Sequence, residues 1–136
     1  MPAGSGSDML SGMTADPDRA ALREGVALYN RGEFFDAHEV MEEAWKGMEG
    51  SERHIYQGLI QVATAFHHAR LGKLKSARKL LTRSLAHMRP HVDGWTVQPL
   101  ADLLPAVEQV IREIERCERE DREFWAGVFP PMPEVA

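Results

Sequence analysis

Apolar residues recur along this chain in the three-and-four-residue rhythm of amphipathic helices, and no stretch alternates apolar with polar as a strand does. The first predicted helix opens at Asp16-Pro17, where Asp offers an acceptor to free amides and Pro a preset φ. It runs to Asn30 and ends at Arg31-Gly32, with Ala20, Ala21, Ala27 and Leu28 as its expected packing residues. A second helix covers roughly 33–48, and a third runs from Ser51 to Leu71 and stops at Gly72. The fourth runs from Leu74 to Arg89 and is closed by Pro90, with His91 to Gln98 as a loop around the turn pair Asp93-Gly94. A last helix lies between Pro99 and Trp125. Its apolar residues Leu100, Leu103, Val107, Val110, Ile114, Cys117 and Phe124 fall at heptad spacing, with a kink or late start at Pro105 and an interruption at Asp121.

A shift of 40 residues aligns Gly32 with Gly72, Ala37 with Ala77, Met41 with Leu81, Trp45 with Leu85 and Met48 with Met88. Each unit reads helix, Gly turn, helix. Gly25, Gly32, Ala37 and Ala44 fall where a tetratricopeptide repeat places small residues so that two helices approach closely. Two units fall short of the three or more that a free-standing solenoid needs. The expected fold is therefore all-α: a compact bundle of about five helices, two tetratricopeptide-like antiparallel hairpins closed by a C-terminal helix. Residues 1–15 are expected as a disordered leader and 16–126 as a single helical domain. Residues 127–136, with Pro130-Pro131-Met132-Pro133, are expected as an extended or disordered Pro-rich tail.

Composition narrows the function classes. A chain of 136 residues is of single-domain size, and 43% hydrophobic residues is ordinary for a packed soluble domain. A net charge of −5, with basic residues gathered only between Lys73 and Lys79, speaks against a dedicated nucleic-acid binder. Apolar runs are too short for a membrane span, and the N-terminus lacks a basic region followed by an apolar core. One cysteine, Cys117, allows neither an internal disulfide nor a Cys-based zinc site. A cytoplasmic protein without nucleic-acid or membrane partners is expected.

The chemistry concentrates in helices two and three. On a helical wheel Phe34, Ala37, Val40, Met41, Ala44 and Trp45 form an apolar arc, with His38 at its edge and Glu42 one step further. His38 and Glu42 are i and i+4, so their side chains meet, while Glu39 and Glu43 turn toward solvent. Helix three carries Gln57, Gln61, Thr64 and His68 on one narrow stripe, flanked by Ile60, Ala65 and Leu71. Amides and a histidine bordered by aliphatics suit a half-buried row that needs partners, and His38 with Glu42 are the obvious ones. The expectation is a buried or pocket-lining polar seam.

The run from Phe35-Asp36-Ala37-His38-Glu39 through Val40-Met41-Glu42-Glu43-Ala44-Trp45, followed by Gln57-Gly58-Leu59-Ile60-Gln61-Val62-Ala63 and His68, resembles the domain-of-unknown-function family numbered 309. That is a small all-α bacterial and plastid family without an assigned activity. The likeness spans roughly residues 20–115, with the family's typical positions on His38, Glu39, Glu42, Trp45, Gln57, Gly58, Gln61 and His68. Asp36, Met41 and His67 depart from the commoner Glu, Leu, and aromatic or aliphatic residue, and none of them belongs to the seam. The resemblance implies the fold and supplies no reaction.

The leading functional expectation is a non-catalytic interaction or structural module. Tetratricopeptide-like hairpins present grooves to peptides, and Trp95, Phe124, Trp125 and Phe129 are candidate exposed anchors. The last helix offers a surface for a protein partner or self-association. The seam would then be a satisfied hydrogen-bond network docking helix two on helix three. The alternative is a small-ligand site, hydrolase-like if His38 acts as a general base toward substrate oriented by Gln57 and Gln61. A further alternative is a divalent metal on His38, Glu42 and His68, with Glu39 as a fourth ligand. His-Glu-x-x-Glu is not the His-Glu-x-x-His of zinc peptidases, and no activated Ser, Cys or Lys stands beside the cluster. No catalytic residue is assigned, and no cofactor is expected outside the metal alternative. His54, His67, His87 and His91 read individually as surface or edge residues, and Cys117 as a small hydrophobe.

Overall fold

The computed structural model describes residues 16–94, 100–125 and 129–132. Helices α1 (Asp16–Asn30) and α2 (Phe34–Trp45) pair as a first hairpin, and α3 (Gly50–Arg70) and α4 (Leu74–Met88) as a second. A 3-10 segment (Arg89–Gly94) follows, and α5 (Leu103–Arg119) packs on α4. There is no strand among the described residues. The chain is an all-α bundle, as its periodicity requires, and none of these helices is long and apolar enough to cross a membrane.

The two hairpin turns are near copies of each other. Gly32 and Gly72 sit at φ of 85° and 80°, where a Cβ is strained. In each turn the next amide reaches back five residues, from Glu33 to the Leu28 carbonyl and from Lys73 to the His68 carbonyl, both at 2.9 Å. This is the Schellman closure of a helix end. The 40-residue repeat in the sequence is therefore a repeat of turn geometry. Asp121 repeats it at the end of α5, with φ 52° and the Arg122 amide 2.9 Å from the Cys117 carbonyl. That closure is what breaks the heptad pattern there.

Helix α3 is the centre of the bundle. Ile55, Tyr56, Leu59, Val62, Ala63 and Phe66 are buried on one side, and Ile60 and Ala65 beside the polar stripe are buried too. Only a narrow strip of α3 reaches the surface, because α2 and α4 pack on both of its flanks. Leu71, expected as a flank of the stripe, instead lies in the turn and is 56% exposed.

Three further expectations are corrected. On α1 the buried face is Leu22, Val26 and Tyr29, whereas Ala20 and Ala27 are exposed, since the larger side chains gain more from burial. Pro90 does not open a loop: the chain continues as a 3-10 turn through Gly94, which tolerates the fixed proline φ. On α5 the heptad residues Leu103, Val107, Ile114 and Cys117 are all buried against the bundle. Of the aromatic anchors, Phe124 is half-buried and Phe129 packs among core rings, leaving Trp125 exposed at 74%. Trp95 and the leader 1–15 lie outside the described residues. Pro105 falls in the first turn of α5, where its missing amide has no intrahelical role, so the helix starts late rather than kinking.

Close approach of α3 and α4 depends on Gly58. A Cβ there would collide with the Met88 side chain and stand 3.1 Å from the Ser84 carbonyl oxygen, which is backbone and cannot yield. Gly58→Ala should therefore destabilise the domain by about 1–3 kcal/mol through overpacking. Urea denaturation with an unchanged midpoint would contradict this packing.

Candidate functional site

The sequence of α2 places its apolar arc inward, with Phe34, Ala37 and Met41 buried, and leaves His38 and Glu42 at the rim. His38 Nε2 lies 3.4 Å from Glu42 Oε1, and Nδ1 lies 3.8 Å from Glu39 Oε2. The imidazole thus has a carboxylate at each nitrogen. Its side chain is 22% exposed, against 44% for Glu42 and 58% for Glu39. Trp45 is fixed in place by α3. Its Nε1–H donates to the Arg53 carbonyl at 3.0 Å, and the Arg53 guanidinium sits 4.0 Å over the ring while donating to the Trp45 and Met48 carbonyls.

Between these residues and α3 is a cavity of about 220 Å³. His38, Glu42 and Trp45 line it from α2, and Gln57, Ile60, Gln61 and Thr64 from α3. Six of the eight predicted seam residues therefore surround one space. None of the eight is fully buried, so the seam is half-buried and opens into a pocket. Glu39 stands at the rim beside His38.

The expected bonds across the seam are replaced by others. The α3 stripe turns to α4: His68 Nδ1 is 2.6 Å from Ser76 Oγ, and Gln61 Oε1 accepts from His87 Nδ1 at 2.9 Å. Thr64 donates its hydroxyl to the Ile60 carbonyl one turn back, at 2.9 Å. His38 and Glu42 engage each other, which leaves the pocket between the two rows. His68 is engaged by Ser76 and does not stand at metal-ligand spacing with His38 and Glu42. Among the described residues the group with metal-ligand spacing is His38, Glu39 and Glu42, one ligand atom from each lying within 4.8 Å of the others.

A larger depression of about 860 Å³ lies between the start of α4 and the end of α5, over Lys73, Lys75, Lys79, Cys117 and Arg122. It is the broader and more solvent-open of the two. Polar recognition strengthens with exclusion of water, which favours the smaller α2–α3 pocket.

A histidine cluster escaped the sequence reading. His54 of α3 stacks on His91 of the 3-10 segment, with ring centroids 4.4 Å apart and planes within 6°, and His87 of α4 is 6.3 Å from His54. His91 Nδ1 lies 3.1 Å from Ser51 Oγ. His87 and His91 are four residues apart, a spacing that signals proximity only if a helical turn continues past Pro90. The cluster reaches the pocket through the His87–Gln61 bond.

With this geometry in hand, the relatives of the chain are informative. Residues 22–80 match the family model described as "Domain of unknown function (DUF309)". Over those residues the chain is similar to that family. The match runs from α1 into α4 and takes in every lining residue of the pocket. An uncharacterized protein of Aquifex aeolicus (strain VF5) is 30% identical over 91 residues, which is 66% of this chain and 27% of that protein. The chain therefore spans about a quarter of the length of the curated relative it matches. The DUF309 match stops short of His87 and His91, so the cluster that braces Gln61 is completed from outside the matched region.

Burial holds the His87 imidazole below its ordinary pKa, aided by the nearby His54, while a bond with the Arg83 backbone works in the opposite direction. His68 is lowered in the same way, first by burial and then by Lys73, His67 and His38. Both rings therefore resist protonation more in the folded than in the unfolded chain. As pH falls through the unfolded value of about 6.5, the unfolded state takes up the extra protons and stability drops. The melting temperature should be level above about pH 7 and decline toward about pH 5.5, with a smaller decline in His87→Gln. Identical melting temperatures at both ends of that window would contradict the assignment.

Proposed function

We propose that this chain is a non-catalytic small-ligand-binding module whose site is the α2–α3 pocket. The observation that carries this reading is the cavity of about 220 Å³ bounded by His38, Glu42 and Trp45 on one side and Gln57 and Gln61 on the other. Its size is below the roughly 300–1,000 Å³ of drug-sized sites, which suits a fragment-sized occupant. Its chemistry selects the class of occupant. Glu42 only accepts when ionised, the two amides donate and accept, and Trp45 and Ile60 supply apolar wall. A small polar molecule with an N–H-rich or cationic end and a short apolar body fits this set. Binding rather than covalent chemistry is favoured because no Ser, Cys or Lys lines the space and the Thr64 hydroxyl is committed to a carbonyl.

The second reading is a divalent cation at the rim, supported by the His38, Glu39 and Glu42 spacing. Its ligands overlap the pocket at His38 and Glu42, so a cation and a small ligand would compete for the same groups.

A screen of small amines, amides and amino acids by thermal shift and tryptophan fluorescence separates these readings. At least one such compound should raise the melting temperature of the chain, and Gln57→Ala with Gln61→Ala should abolish the effect. Zinc or manganese titration should give a shift that disappears in His38→Ala if the cation reading holds instead. Glu42, half in water, should tolerate Ala with a change within about 0.5 kcal/mol in the unliganded chain. A loss of about 1–3 kcal/mol together with a silent screen would return the residues to a purely structural network.

A further inference from the structure

The first hairpin carries a second built site, distant in chemistry from the polar pocket. Residues 129–132, Phe-Pro-Pro-Met, lie in a groove walled by aromatic rings. Phe129 meets Phe34 at a centroid distance of 4.8 Å and 84°, Tyr29 at 5.3 Å and 79°, and Phe66 at 6.0 Å. Edge-to-face contacts of this kind are favoured by the ring quadrupoles. Three residues further, the Asn30 side-chain amide reads the backbone of Met132 on both sides. Its Oδ1 accepts from the Met132 amide at 2.9 Å and its Nδ2 donates to the Met132 carbonyl at 3.1 Å. The Tyr29 hydroxyl donates to the Pro130 carbonyl at 2.7 Å, and Met132 is 2% exposed.

These contacts have a distinctive division of labour. The polar ones address main-chain groups of an extended segment, and the apolar ones address two side chains three residues apart. Three residues is the repeat of the polyproline II helix, the conformation two successive prolines favour, so Phe129 and Met132 share one face. Pro131 between them is exposed. Aromatic-lined grooves that take Pro-rich segments in this way are a recurring mode of peptide recognition. Nothing in the groove requires that the segment be covalently attached: Asn30, Tyr29, Phe34 and Phe66 all belong to the hairpins and offer the same contacts to any peptide of the same pattern.

We propose that this groove is a recognition site for extended partner segments of the pattern aromatic-Pro-Pro-apolar, and that residues 129–132 are its resident plug. The occupant's chemistry is read from the plug itself. Tethering makes the plug a strong competitor, because a short linker holds it at an effective concentration on the order of millimolar. A partner segment therefore enters only by out-competing it or when the plug is drawn away. The plug thereby acts as an intramolecular threshold on binding.

The test uses the full chain and a fluorescently labelled synthetic peptide with the sequence of residues 127–134. Phe129→Ala vacates the aromatic slot without altering its walls, and this chain should bind the peptide about tenfold or more tighter than the wild-type chain does. Adding Asn30→Ala, or replacing the peptide's Phe by Ala, should remove that binding. Met132→Glu serves as the second opened variant if Phe129→Ala melts below the assay temperature. Equal binding by opened and wild-type chains, or equal binding of a scrambled peptide, would overturn the proposal. So would unfolding of both variants, since a plug must be removable. Sedimentation supplies the remaining arm: a wild-type dimer that dissociates in Phe129→Ala would place the segment in a neighbouring copy and overturn the resident-plug arrangement.

Discussion

The position of α2 on α3 governs both sites, and two arginines of α3 set it. Arg53, near the start of α3, donates to the Trp45 and Met48 carbonyls and lays its guanidinium 4.0 Å over the Trp45 ring. Arg70, at the other end of α3, donates to the Gly32 carbonyl at 2.9 Å and lies 4.4 Å over the Phe34 ring. Each combines charge-assisted bonding to carbonyls at a helix end or turn with a cation–π contact on the residue that starts or ends α2. Between the clamps Ala37 and Met41 press α2 onto the core. His38 and Glu42 are left at a fixed stand-off from Gln57 and Gln61, and that stand-off is the pocket.

The duplicated turn explains why the polar residues of α3 are divided as they are. Gly32 and Gly72 give the two hairpins the same closure, yet the first hairpin returns along a helix rimmed by His38 and Glu42 and the second along one carrying Ser76 and His87. Helix α3 is shared by both neighbours, so its one polar stripe must be satisfied from two sides. His68 and Gln61 find partners on α4, which lies closest because Gly58 admits Met88. On the α2 side of α3 no described glycine makes such a contact, and the side chains stop short of one another. An identical turn with different side chains thus yields a sealed joint on one flank and an open one on the other.

What could be read in advance follows from the range of the interactions involved. The helices, the Gly turns and the inward arc of α2 are short-range consequences of periodicity and backbone preference, and they are where the sequence placed them. The seam residues were identifiable because amides and a histidine bordered by Ile60 are out of place on a solvated face. Which neighbour would satisfy them was not identifiable, since α2 and α4 both flank α3 and the choice rests on a packing distance of a few ångströms. The His54, His87 and His91 cluster was hidden by Pro90, which locally argues for a break although the 3-10 turn carries on. Phe129 and Met132 were hidden for the opposite reason. A Pro-rich stretch has no helical or strand period, so its docking depends wholly on a groove assembled from α1, α2 and α3.

The two sites share α2 but have little means of influencing each other through it. Phe34 forms part of the aromatic groove and His38 part of the polar pocket, one turn apart on the same helix. For occupancy of one to alter the other, α2 would have to shift or rotate as a body. Arg53 and Arg70 hold its two ends to the same rigid helix, and the completely buried Ala37 leaves no room for rotation between them. Coupling requires an element with two discrete arrangements, and α2 is pinned in one. The route that remains is Phe35, exposed on the outer face, whose ring lies 5.7 Å from His38 and 5.4 Å from His67. Among the described residues its ring neighbours are His38 and His67, neither of which walls the groove. The small-molecule pocket and the extended-chain groove proposed above can therefore be filled independently of each other.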